Sequence, residues 1–188
     1  MSPRVKPGLP AFATAILSLI FPLVTLALAT AAPPATRIEC DAAMLARARE
    51  RIASKAEPFS SYWQLAKADA GLALSLQPKP CLSRDALVFH GETQEQGIAA
   101  RLLAYQWRLE DDEVAGAHAV ALLDEWASAN PLPGSDFDPE IRLPNAGMDV
   151  ARGMLPFIAA YDLLRGHPDL TSEIDARIRA WFRALVPV

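Results

Sequence analysis

Asn145 and Arg152 pair an amide with a guanidinium at the head of one helical segment, a combination suited to a carboxylated sugar. Arginine can grip a carboxylate through two parallel N–H donors. Each residue also has an ordinary reading: Asn145 as the cap of the helix, Arg152 as the partner of Asp149 or of a neighbouring hairpin. His90, Glu92 and Gln94 form a second polar cluster around the start of another helix, compatible with hydrogen bonds to a sugar or with plain solvation. Trp63 is the best candidate to stack on a sugar ring, whereas Trp126 and Trp181 read as core. The candidate substrate-binding set is therefore Asn145, Arg152, His90, Glu92 and Trp63, with no catalytic residue assigned. His118 lies among Ala117, Ala119, Val120 and Ala121 and reads as a core or interface histidine; His167, between Gly166 and Pro168, reads as a turn residue.

No glycine-rich phosphate loop, nucleophile elbow or paired-carboxylate motif occurs in the sequence. Asp136, Asp138 and Glu140 cluster in a Pro-rich loop, which leaves open an inverting glycoside hydrolase working with two acids. A non-catalytic carbohydrate-binding or vestigial module is a third reading. His90, His118 and His167 show no ligand spacing with either cysteine, so neither a metal nor a cofactor is expected. Cys40 and Cys81 allow one intramolecular pairing. A disulfide between them, two buried thiols, and partners outside the chain all stay open at this point.

Acids outnumber bases 22 to 18 over 188 residues, and the excess grows once the first 31 residues are set aside, since these hold Arg4 and Lys6 and no acid. That balance disfavours nucleic acid and anionic membrane surfaces as partners. The same 31 residues carry the marks of a secretory signal peptide: a positive start over 1–6, an apolar run over 11–28, then Ala29-Thr30-Ala31. Cleavage after Ala31 is expected, leaving a periplasmic or secreted domain over 32–188 with no stable membrane anchor. Pro22 inside the run and Pro33-Pro34 just beyond it favour this reading over an uncleaved anchor.

The elements that must position these side chains are helical, because apolar residues recur at helical spacing in every long segment and none alternates with period two. Prolines punctuate the segments. The pattern predicts helices over 41–55, 60–76, 92–109, 113–128 and 146–165, and a last one opening at Ser172. The first two stripes are Met44, Leu45, Ala48 and Ile52, then Tyr62, Leu65, Ala66, Leu72 and Leu76. Ile98, Leu102, Tyr105 and Leu109 form the third; Met148, Leu155, Ala159 and Leu163 belong to the fifth helix, and Ile174, Ile178, Trp181 and Leu185 to the last. Asp111 and Asp112 supply the cap of the fourth helix, Gly166 ends the fifth, and Ser172 with Asp175 opens the last.

Two pairs of anchors recur at nearly the same offset: Ala104-Tyr105 with Ala160-Tyr161, 56 residues apart, and Trp126 with Trp181, 55 apart. They imply a repeated helical hairpin of about 55 residues, with units over about 41–77, 92–128 and 146–186. The fold expected is all-α, an incomplete α/α toroid of about three hairpins preceded by the signal peptide. The last hairpin still carries a full apolar stripe, so the sequence reads as truncated after it, with self-association through that hairpin as a corollary.

Several stretches between residues 91 and 188 resemble the alginate lyase family of polysaccharide lyases. They are Ala104-Tyr105, Asp111-Asp112-Glu113, the run over 121–127, Asn145-Ala146-Gly147-Met148-Asp149-Val150-Ala151-Arg152-Gly153-Met154, and the run over 160–164. The segment over 74–81 is similar to the family's approach to its lid loop. The resemblance implies a toroid with a deep groove that takes an acidic polysaccharide, chiefly mannuronate-rich alginate, and cleaves it by metal-independent β-elimination. Such chemistry neutralises the uronate carboxylate, removes the C5 proton and protonates the leaving oxygen. The family uses an Asn-His pair for it, and this sequence contains no Asn-His dipeptide.

Overall fold

The computed structural model describes residues 38–129, 137 and 146–185. The expected signal peptide, Asn145 and the loop carboxylates Asp136, Asp138 and Glu140 lie outside them. The described residues form six helices and no strand: α1 Ala42–Ala53, α2 Phe59–Ala73, α3 Ala86–Glu110, α4 Glu113–Ser128, α5 Ala146–Leu164 and α6 Ser172–Ala184. Among them no helix is long and apolar enough to cross a membrane.

Short polar side chains start most of these helices. Asp41, Asp85, Asp112 and Thr171 each accept a backbone N–H from the first turn of the helix that follows. Two of the caps differ from the sequence-based expectation. Asp85 starts α3 at Ala86, so His90, Glu92 and Gln94 lie inside a long helix and not at its head. Thr171, one residue before Ser172, caps α6 through Ile174 N. Asp111 ends α3 in the left-handed conformation (φ 57°), letting α4 fold straight back from Asp112. Gly166 has φ +95°, the conformation that ends α5 without strain.

Cross-helix contacts set the directions. On α3, His90, Gly97 and Arg108 meet, in that order, Gly153, Pro156–Phe157 and the carbonyls of Leu163 and Arg165 on and just after α5. The two helices therefore run parallel. Their backbones approach closely: a Cβ at Gly97 would come within 3.0 Å of Pro156 Cβ, and one at Gly153 within 3.1 Å of His90 Cα. Behind this pair, α4 and α6 are also parallel, joined by the Arg177–Asp124 ion pair (2.7 Å) and the Trp126–Trp181 ring contact (6.0 Å). α2 runs against α3, since Trp63 Nε1 donates to Glu110 and Gln96 Nε2 to the Gln77 carbonyl. α1 runs with α3, through Arg49 to the Arg108 carbonyl and Asp111. Odd-numbered helices thus point one way and even-numbered ones the other.

The core is centred on Trp126, Phe157 and Trp181, whose rings contact one another at 5.2–6.0 Å, with Leu103, Leu122, Leu123, Leu163 and Ile178 fully buried around them. The predicted α6 stripe is borne out: Ile178, Trp181 and Leu185 are buried inside the chain. Elsewhere the faces differ. α2 buries Trp63, Ala70 and Ala73, leaving Tyr62, Leu65 and Leu72 at 68%, 65% and 73% exposure. Both faces of this helix are apolar, and the one that packs combines Trp63 with the small Ala70 and Ala73. α1 has no buried residue, and on α5 Met148 and Leu155 are exposed.

The Cys40–Cys81 disulfide, one of the three alternatives the sequence leaves open, is not formed. Cys40 Sγ lies 3.9 Å from the Tyr105 hydroxyl, while Cys81 follows Lys79, whose N–H bonds Gln96 and whose ammonium pairs with Glu92. Gln96 and Tyr105 are separated by about 13 Å along α3 at a rise of about 1.5 Å per residue, well beyond the reach of a disulfide.

Candidate functional site

Residues on one face of α3 and one face of α5 line a groove of about 590 Å³, closed at one side by Ile38 and Glu39. α3 contributes His90, Gln94 and Arg101, and α5 contributes Arg152, Leu155, Pro156 and Ala159. The spacing is helical on both sides, with Gly97 completing the α3 face where Pro156 crosses it. The close backbone contact at Gly97 and Gly153 thus holds the two walls at a set distance.

Within the groove, His90 is partly buried with Nδ1 4.0 Å from Asp149 Oδ1, and Asp149 is itself buried. His90 Nε2 is enclosed and has no hydrogen-bond partner among the described residues. Arg152 is exposed and makes no ion pair among them; the Asp149 partnership considered for it belongs to His90 instead. Arg101 pairs with Glu39 Oε1 at 2.5 Å, and its guanidinium lies 5.7 Å from the Tyr105 ring centroid. Tyr105 donates to the same Glu39 oxygen at 2.6 Å. Burial first, then this bond to Glu39, pushes the Tyr105 phenol well above its ordinary pKa, so it stays a proton donor throughout the physiological range.

The groove brings together two of the five residues singled out from sequence, His90 and Arg152, and with them Gln94. Glu92 is elsewhere, its carboxylate held by Lys79 Nζ at 3.0 Å. Trp63 is buried, its Nε1 donating to Glu110 at 2.7 Å, and lines a different cavity. Asn145 lies outside the described residues. Arg101 and Glu39 were not anticipated. The signal for Arg101 was the 90-94-97-101 face, which becomes visible only when α3 begins at Asp85; Glu39 lies before the first helix, where periodicity carries no information.

Two further cavities adjoin this one. A basin of about 420 Å³ shares Ile38 and Ile158 with the groove and carries Arg165, Arg179 and Arg183. A mostly apolar cleft of about 600 Å³ lies between α1, α2 and α3, with Glu39 and Arg101 common to its wall and the groove's. His118 and His167 take no part in any of them. His118 Nε2 is 3.2 Å from the Leu76 carbonyl, and His167 is buried edge-on to Trp107 with Nδ1 accepting from Asp169 N. Among the described residues no group of three or more His, Cys, Asp or Glu could hold a metal ion. The chain matches no protein-family model, no curated protein and no solved structure.

Among the described residues Arg152 is the uncommitted cation of the groove, since Arg101 is held by Glu39, and Gln94 adds an amide; Leu155, Pro156 and Ala159 supply its apolar lining.

Proposed function

We propose that this chain is an exported polysaccharide-lyase domain of the alginate lyase type, an incomplete α/α toroid that takes uronate polymers such as polymannuronate in the α3–α5 groove. The observation that carries the reading is the convergence of His90, Arg101 and Arg152 on one groove, with Leu155 and Pro156 between them. β-Elimination from a uronate begins by withdrawing charge from the carboxylate, for which Arg152 is the uncommitted guanidinium while Arg101 is held by Glu39, so that the C5 proton becomes acidic enough for a base. His90 is the imidazole of the groove, beside the buried Asp149 with its Nε2 enclosed, and no base is assigned for the C5 proton. The alternating direction of the helices and the contact of Trp126 with Trp181 at matched repeat positions support the toroid.

Incubation with polymannuronate tests the proposal. Binding together with growth of the near-ultraviolet absorbance of a conjugated, unsaturated uronate product is the result expected of a lyase. Because the sequence lacks the Asn-His pair, turnover is expected to be slow and binding to be the stronger signal. New reducing ends without that absorbance would assign a hydrolase, binding with neither a carbohydrate-binding module, and absence of binding would remove the reading altogether.

A further inference from the structure

The cleft between α1, α2 and α3 lies across the Glu39–Arg101 pair from the groove. Two of the predicted core stripes line it. Met44, Leu45 and Ala48 of α1, with Leu102, Tyr105 and Leu109 of α3, face one space that also holds Phe59 and Trp63 of α2. α1 fully buries none of its residues and reaches the core only through the half-buried Leu45, so most of its apolar face is the wall of a cleft. A volume of about 600 Å³ is that of a site for a small ligand, and the lining is the apolar and aromatic kind such sites have.

The charges on the wall say which ligand. Arg47 and Arg51 both line the cleft, are exposed, and pair with no carboxylate among the described residues; Arg51 touches only the Phe59 ring, at 6.0 Å. Glu39, the lining carboxylate, is already engaged by Arg101 and Tyr105. An apolar interior with two uncommitted guanidiniums at its margin complements a molecule with an apolar tail and one anionic head. The geometry points to a second ligand site in this chain, a cleft for a free amphipathic carboxylate of the fatty-acid class, with the tail against Trp63, Phe59 and Leu102 and the head at Arg47 and Arg51. It stands apart from the polysaccharide groove and does not depend on that reading.

The test is titration of the full chain with dodecanoate below its micellar concentration, followed by calorimetry. One saturable site is expected, with dodecyltrimethylammonium binding at least tenfold more weakly. Arg47→Gln with Arg51→Gln, both exposed and so neutral to folding, should weaken dodecanoate binding at least tenfold, and Ala66→Phe, which fills the cleft from α2, should abolish it. Arg152→Gln, in the other groove, should leave it unchanged. No saturable binding, equal affinity for the cationic amphiphile, or binding indifferent to both cleft variants would overturn the proposal. So would capture by phosphatidylglycerol vesicles without binding of free dodecanoate.

Discussion

Arg152 and Arg101 illustrate how two guanidiniums in one groove come to have different tasks. Arg101 is tied to Glu39 and stacked near Tyr105, whereas Arg152 is exposed and uncommitted among the described residues. Replacing Arg152 by Gln should therefore weaken polymannuronate binding by about tenfold, the scale of one hydrogen bond to a charged group, while leaving the unfolding midpoint unchanged. Affinity electrophoresis and urea melts read the two quantities. Tyr105 makes a separate prediction. Its pKa is raised in the native state by burial and by Glu39, so at a pH above the ordinary phenol value of 10.0 the unfolded chain has released a proton that the native chain retains. Stability is thus at its full value below that pH and falls as pH rises beyond it. Urea unfolding at pH 8 and at pH 10.5 should show the loss, and Tyr105→Phe should lower stability at pH 8 but flatten the dependence above about 10.

At the level of the helices, caps and close contacts decide more than propensity does. Thr171→Ala removes the side-chain acceptor for Ile174 N and should cost about 1 kcal/mol, read as a shift in the urea midpoint. Gly116→Ala should cost more, about 1–3 kcal/mol, because the added Cβ would stand 2.4 Å from His167 Nε2 and 2.9 Å from Trp107 Cγ, both on buried residues. The same considerations explain which elements could be read from sequence. α4 was legible to the residue because Asp112 and Glu113 mark its start and its single apolar face has one place to go. The sequence starts α3 six residues late because Asp85 is an inconspicuous cap and the His90-Gly91 pair resembles a break, so the groove face it carries is only half visible there. α2 offered two apolar faces, and hydrophobicity favoured the bulkier one. The structure packs the other, where Trp63 is buried with its Nε1 on Glu110 and Ala70 and Ala73 are buried beside it. Periodicity reports that a face is apolar but not whether its counterpart has room for it.

For the molecule as a whole, the odd-numbered helices divide into a tightly joined pair and a loosely placed third. Trp181 closes the core against Trp126 and Phe157, so Trp181→Ala should destabilise the domain by about 3–5 kcal/mol and lower its thermal midpoint accordingly. The alternating helices were readable from apolar spacing and proline punctuation, and the Trp126–Trp181 contact joins two residues that the sequence reads as core. The groove was not, because it forms where two helices distant in sequence meet at Gly97 and Gly153, and a glycine in a helix gives no hint of its partner. α1 is the opposite case: it has no buried residue and is held by Arg49, by Cys40 beside Tyr105 and by Glu39. Its amides are consequently separated from solvent by a much smaller opening free energy than those of α3 and α5. On a hydrogen–deuterium exchange time course, the amides of residues 42–53 should be labelled while those around Ala100 and Phe157 remain protonated, and an occupant of the neighbouring cleft would be recognised by the slowing of that early phase alone.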